Sequence, residues 1–298
     1  MARLIDHLLR SKGIPEMQAT GLRRATVIVA DNVADYVFTR QQADYRSTIA
    51  LPNVAPPLRE LFVEFRVPKI GGVGWLLHSS DLQDVRHVAA QYMMRTTPAS
   101  PGDARWYVRG YLFYEALPPQ PQLLCELYVS PDGRLCPIQT GPNAVQHYTV
   151  EPTEGSVYAE AYAQEPIGKW LLGPSVVLHV ALWTLCFMHT KNVQLEDQAP
   201  PPKLSRRHEK KHGRPLCTFK TLKIQPMRGR RDAAEAQGGA HGAPSLHIRR
   251  GHFKTFTDAA PLFGRVVGTY WWEQALVGKA ERGLVAKDYQ VEIDLKGA

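Results

Sequence analysis

The densest run of chemically capable side chains is LHIRRGHFKTF, residues 246–256. His247 and His252 are the residue type for a base–acid pair in RNA cleavage. Arg249, Arg250 or Lys254 would stabilise charge on the phosphorane. That chemistry would make the chain a metal-independent endoribonuclease. On a regular strand, however, residues five apart point to opposite faces, so the two imidazoles meet only if Gly251 introduces a bulge. Otherwise this is a basic strand with one histidine packed and one exposed.

Further along, Tyr270, Trp271 and Trp272 are adjacent. On a strand Trp271 faces away from the other two, so one face is core and the other is free to stack on a base or grip a peptide. A zinc site from His247, His252 and Cys217 can be drawn, but no ligand spacing supports it, and neither metal nor cofactor is expected. P-loop, GxGxxG, HExxH and GxSxG patterns are missing, and the acids do not cluster as a two-metal site requires.

The chain of 298 residues carries 36 Lys and Arg against 28 Asp and Glu. Eleven of the basic residues and one acid, Glu209, lie between Lys203 and Arg231, a local net of +10 that leaves the remainder at −2. One sign at that density implies a polyanion partner, RNA or a ribosomal surface. Arg206, Arg207, Lys210 and Lys211, with Arg214 beyond them, have the spacing of one side of a short helix suited to phosphate contact.

Four cysteines, Cys125, Cys136, Cys186 and Cys217, form no CxxC pair, which points to reduced thiols in a cytoplasm. The first residues, MARLIDHLLRSKG, have too short an apolar run for a secretory signal. The apolar segment Leu171 to Met188 contains Pro174, Ser175, His179 and Thr184 and is expected to be a buried helix rather than a membrane span. His179 and His189 are read as core histidines.

These residues need a scaffold of helices and strands. The fold class is α+β: N-terminal helices, an antiparallel β-meander, a buried central helix and a C-terminal basic β-region. Leu4, Leu8 and Leu9, then Val29, Val33, Tyr36 and Val37, have helical spacing. Leu61, Val63, Phe65 and Val67 alternate with Glu64 and Arg66, which predicts a half-buried strand. Strands follow at 73–78, 105–116, 123–129 and 134–138, the last two joined by a Pro-Asp-Gly turn. Helices are expected over 154–170 and 174–189, and strands over 215–226, 246–256, 266–273 and 288–295. The segment 229–245 is rich in Gly and Ala and reads as a flexible loop. Three regions result: a core domain over 1–192, a basic arm over 193–245 and a β-region over 246–298.

HIRRGHFKTF, a Gly-flanked apolar turn and then YWWEQALVG resemble the C-terminus of type V-A anti-CRISPR (AcrVA-like) proteins and their phage homologues. The tight part of the resemblance covers Leu246–Gly278. It implies an accessory phage or mobile-element protein that suppresses immunity in the cytoplasm of a bacterial host. The implied activity is to lower production of a type V CRISPR effector nuclease by recognising its nascent peptide, with loss of the messenger. The motif residues carried over are His247, Arg249, Arg250, Gly251, His252, Trp271 and Trp272. Three readings stand: an immune inhibitor acting at the ribosome, an endoribonuclease using His247 and His252, and a stoichiometric inhibitor that occludes a host protein without nucleic acid.

Overall fold

The computed structural model describes residues 3–39, 45–84, 96, 98–141, 144–164, 172–225, 245–249, 251–272, 275–277 and 279–285. The chain divides into two compact units, Met1–Met188 with Leu195–Leu222, and His189–Gln194 with Lys223–Ala298.

The first unit starts with helices α1 (Leu4–Leu8) and α2 (Glu16–Arg24), strand β1 (Thr26–Val29) and helices α3 (Asp31–Thr39) and α4 (Tyr45–Ile49). The expected meander follows as β2 (Glu60–Val67), β3 (Gly71–Asp81), β4 (Trp106–Tyr114) and β5 (Leu123–Val129), each antiparallel to the one before. Then come the short pair β6 (Ile138–Gly141) and β7 (Ala144–Gln146), strand β8 (Thr149–Pro152), and helices α5 (Val157–Gln164) and α6 (Leu172–Met188). Strand β9 (Val193–Gln198), helix α7 (Pro202–His212) and strand β10 (Phe219–Ile224) end the series. The main sheet has the order β8-β5-β4-β3-β2-β1-β10-β9. With helices on both faces the fold is α+β, as the sequence predicted.

Alternating side chains decide which helices cover which face. Phe62, Leu76, Tyr111, Phe113 and Leu124 pack with Leu4, Ile5 and Leu8 of α1 and Leu22 of α2. The opposite face takes α3, whose Phe38 ring lies 6.5 Å from Phe65, and α3 in turn meets α6 through Tyr36 and Trp183, 5.7 Å apart. In α6 every residue from Val177 to Phe187 is buried, as expected of an apolar helix without a polar stripe. His179 hydrogen-bonds the Tyr148 hydroxyl at 2.7 Å, which accounts for a histidine at that depth. No helix among the described residues is long and apolar enough to cross a membrane.

Three details correct the sequence reading. Val29 ends a strand and is not part of a helix, because the β-branched run Thr-Val-Ile-Val is buried between parallel neighbours β2 and β10. Glu64 is buried on a strand expected to be wet on that face. Its carboxylate accepts the Ile5 N–H at 3.1 Å and pairs with Arg3 at 3.0 Å, supplying the N-terminal cap that α1 lacks from its own Arg3. Burial raises its pKa, against the Ile5 N–H and Arg3. The third concerns 134–138, where the isolated bridges Val129–Leu135 and Pro98–Ile138 form and the strand begins at Ile138.

The second unit holds β11 (Ser245–Arg249), the hairpin β12 (His252–Phe256) and β13 (Gly268–Trp272), then β14 (Ala275–Val277) and β15 (Lys279–Val285). β11 lies between β14, antiparallel, and β15, parallel, while β12 and β13 form a separate two-stranded sheet. The run 246–256 is therefore two strands in two sheets, interrupted next to Gly251, and the single strand expected from the sequence is corrected. Residues 226–244, with most of the expected flexible loop, and 286–298, with the last expected strand, lie outside the described residues.

Candidate functional site

Two surfaces gather the residues that the sequence singled out, one in each unit. The first is α7. Its N-terminus is set by Pro201 and Pro202, and it ends at Gly213, whose φ of 74° lets the chain turn back after the last turn. No residue of α7 is buried. At 3.6 residues per turn, Lys203, Arg206, Arg207, Lys210 and Lys211 share one arc of about 140°. Each is exposed.

Ser205, His208 and His212 lie on the opposite side and tie the helix down. Ser205 Oγ accepts the Leu216 N–H at 3.2 Å, and His208 Nδ1 donates to the Arg214 carbonyl at 2.8 Å. The His208 and His212 rings are 4.6 Å apart, and His212 Nε2 lies 3.4 Å from Nη1 of Arg10 in the loop after α1. Desolvation by its packed neighbours, then the charges on Arg10, Lys211 and Arg214 nearby, hold the His212 pKa below its ordinary value. Arg214 is half-buried, and its Nε and Nη2, like Nε2 of His208, are buried without a hydrogen-bond partner. The sequence reading missed Arg10, His208 and His212. The i, i+4 spacing of the histidines in HEKKH was the only available signal, and Arg10 had none.

The second surface is the β12–β13 hairpin. Register pairs His252 with Trp272, Lys254 with Tyr270 and Phe256 with Gly268, so these side chains share one face. The Lys254 ammonium sits 4.9 Å from the centroid of Phe256, whose ring meets Tyr270 edge-on at 6.1 Å. Lys254 is exposed, while His252, Tyr270 and Trp272 are half-buried. The other face carries Phe253 and Trp271, with rings 4.7 Å apart, and Trp271 is buried. Alternation thus assigns Trp271 to the packed face and Tyr270 and Trp272 to the cation-bearing one.

His247 is opposite Val277 and Arg249 is opposite Ala275 on β11, where the strand and its register are described; Arg250 lies outside the described residues. His247 and His252 belong to different sheets. The opposite-face rule for a single strand consequently does not govern their geometry.

A third polar group is buried in the main sheet. Arg109 Nη2 donates to Glu126 Oε1 at 2.7 Å, Tyr107 donates to the same oxygen at 2.6 Å, and Thr96 donates to Oε2 at 3.0 Å. This network, with Glu126 2 % exposed at its side chain, satisfies the charges in the sheet. It escaped the sequence reading because Arg109 and Glu126 belong to different strands and look like outward polar residues. All four cysteines are free. Burial pushes the thiols of Cys125, Cys186 and Cys217 up to about 12, which disfavours a nucleophilic thiolate. Among the described residues no three His, Cys, Asp or Glu side chains gather as a metal site.

A comparison with protein families matches residues 85–257, more than half the chain, to the AcrVA2-like family, described as the anti-CRISPR type V subtype A2 family. The matched span includes β4, β5, α7, β11 and β12 and stops before β13. Neither the curated proteins nor the solved structures gave a match.

Proposed function

Because the chain belongs to the AcrVA2-like, anti-CRISPR type V subtype A2 family and so is an inhibitor directed at a host CRISPR system, we propose that it acts on the production of a type V effector nuclease. In this reading it recognises the emerging effector chain at the ribosome in the bacterial cytoplasm, and the messenger is lost. The observation that carries it is the exposed cationic arc of α7, five Lys and Arg that no packing contact uses. An arc of this kind suits the regularly spaced phosphates of ribosomal RNA. The hairpin face supports the other half of the reading: Tyr270 and Trp272, sharing a face with His252 and Lys254, supply stacking area, and Lys254 a cationic head, for an extended peptide.

Replacing Arg206, Arg207, Lys210 and Lys211 with Glu tests the proposal without touching the core. Co-sedimentation with ribosomes at low salt is expected to vanish and the effector messenger to recover. The salt slope of wild-type binding is expected to correspond to about four or five released counterions. Unchanged co-sedimentation would overturn the reading. Immunity suppressed at an unchanged messenger level would replace it with direct occlusion of the effector, and cleavage of RNA by the purified protein would replace it with an endoribonuclease.

A further inference from the structure

The connection between β12 and β13, residues 257–267, ends in a tight turn. The Arg265 N–H donates to the Leu262 carbonyl at 3.2 Å, and the Gly264 N–H to the Pro261 carbonyl at 3.3 Å. Leu262 and Val266 exchange two further backbone bonds, at 2.8 and 3.0 Å, which hold the turn from both sides. Its central residues, Phe263 and Gly264, have φ of 53° and 71°. Positive φ at both central positions is the conformation in which Asn-Gly and Gly-Gly dominate, because a Cβ there crowds the following carbonyl. A bulky aromatic residue is strained in it.

Packing does not repay that strain. Leu262 and Val266 are half-buried, whereas Phe263 is 79 % exposed, the most exposed large apolar side chain among the described residues. A strained backbone under a side chain that the fold does not use marks a position kept for recognition. Val267, 40 % exposed, adds aliphatic surface, and the exposed Arg265 is the one charged residue within 259–268. An apolar knob with a single cation has the composition of a protein interface, where aromatics and Arg are enriched. It differs from the arc on α7: an aliphatic side chain neither stacks on a base nor neutralises a phosphate.

We propose that Phe263 is the anchor by which the chain grips its protein target. The ring and Val267 pack among apolar side chains of the CRISPR effector chain, and Arg265 pairs with a carboxylate bordering them. The inference rests on the reading above for the identity of the partner, and it adds the tip of the hairpin to the face already assigned to that chain.

Two experiments on the full-length protein test it. Phe263→Asn suits the turn and removes the ring. Its melting temperature is expected to equal or exceed that of the wild type, while suppression of type V immunity, read as phage plating on an immune bacterium, falls about tenfold or more. Phe263→Tyr, which keeps an aromatic ring, is expected to retain suppression. Melting several degrees lower in the Asn variant would show that the ring packs within the protein, and full suppression would show that no partner uses it; either overturns the anchor. A photo-crosslinking phenylalanine analogue at position 263, in bacteria producing the effector, then identifies the partner. A crosslink to the effector chain that the same analogue at the exposed Val145 does not give supports the proposal. A crosslink to RNA or to another segment of this chain, or none to the effector, overturns it. Ribosome co-sedimentation belongs to α7 and is expected to be unchanged in Phe263→Asn, so the ribosome reading and the anchor fail separately.

Discussion

Asn192 stands in for a neighbouring strand at Trp271. Its Oδ1 accepts the Trp271 N–H at 2.8 Å, and its Nδ2 donates to the Trp271 carbonyl at 2.9 Å. The same Nδ2 donates to Gln225 O at 2.6 Å, while Lys191 N–H donates to Thr269 O at 2.9 Å. Together these bonds occupy the edge of β13 that β12 leaves open. Asn192→Ala is expected to destabilise the hairpin by about 1–3 kcal/mol through unsatisfied backbone groups. Asn192→Asp should recover only part of that loss, because the carboxylate keeps the acceptor and loses both donations. Urea unfolding followed by tryptophan fluorescence measures both.

The two faces of the β12–β13 hairpin should separate structure from recognition. Trp271→Ala removes the buried ring that packs on Phe253 and is expected to cost about 3–5 kcal/mol. Tyr270→Ala and Lys254→Ala should change stability far less while weakening suppression of the effector. Denaturation midpoints measured beside messenger levels in cells would show this, and equal destabilisation by all three would refute the assignment of faces.

Histidine substitutions address catalysis directly. As parts of a binding surface, His247→Ala and His252→Ala should weaken function in graded fashion, with Arg249→Ala or Arg250→Ala costing as much. A base–acid pair would instead lose all function in either His variant while RNA affinity stayed intact. Messenger level and RNA affinity for the four single variants distinguish the two outcomes.

The Arg109–Glu126 pair predicts an asymmetry. Glu126→Gln leaves a buried guanidinium without its counter-charge, and a loss of about 3–5 kcal/mol is expected. Arg109→Met combined with Glu126→Leu should recover much of it, because neither charge then remains. A double-mutant cycle in guanidinium chloride is the measurement.

Acid should destabilise the first unit through His78. Burial first, then Arg109 and Arg59, lower its pKa to about 4, from 6.5 for a free imidazole. Gly21 of α2 seats over the ring so closely that a Cβ there would lie 2.3 Å from Cε1. The unfolded chain therefore binds a proton below pH 6.5 that the folded protein refuses. Its contribution is fully present above that pH and is lost as pH falls toward 4, amounting to roughly 3 kcal/mol. In His78→Gln that part of the pH dependence between 6.5 and 4 should disappear.

Local sequence determined what depends on periodicity and charge density. Alternation placed β2, the mainly apolar composition of α6 announced a buried helix, and the spacing of Arg206, Arg207, Lys210 and Lys211 described a cationic helix side. Those patterns record which face of an element meets water, a property each segment carries by itself. Tertiary structure alone decided which segments lie side by side. Strand pairing runs through backbone groups common to every residue, so nothing within Thr26–Val29 names β10, almost 200 residues away, as its neighbour. The same holds for Glu64 capping α1, for Asn192 on Trp271 and for Arg10 beside His212, 202 positions apart. At Gly251 the chain leaves one sheet for another because β11 and β12 each find a different partner, and only the folded protein brings those partners into place.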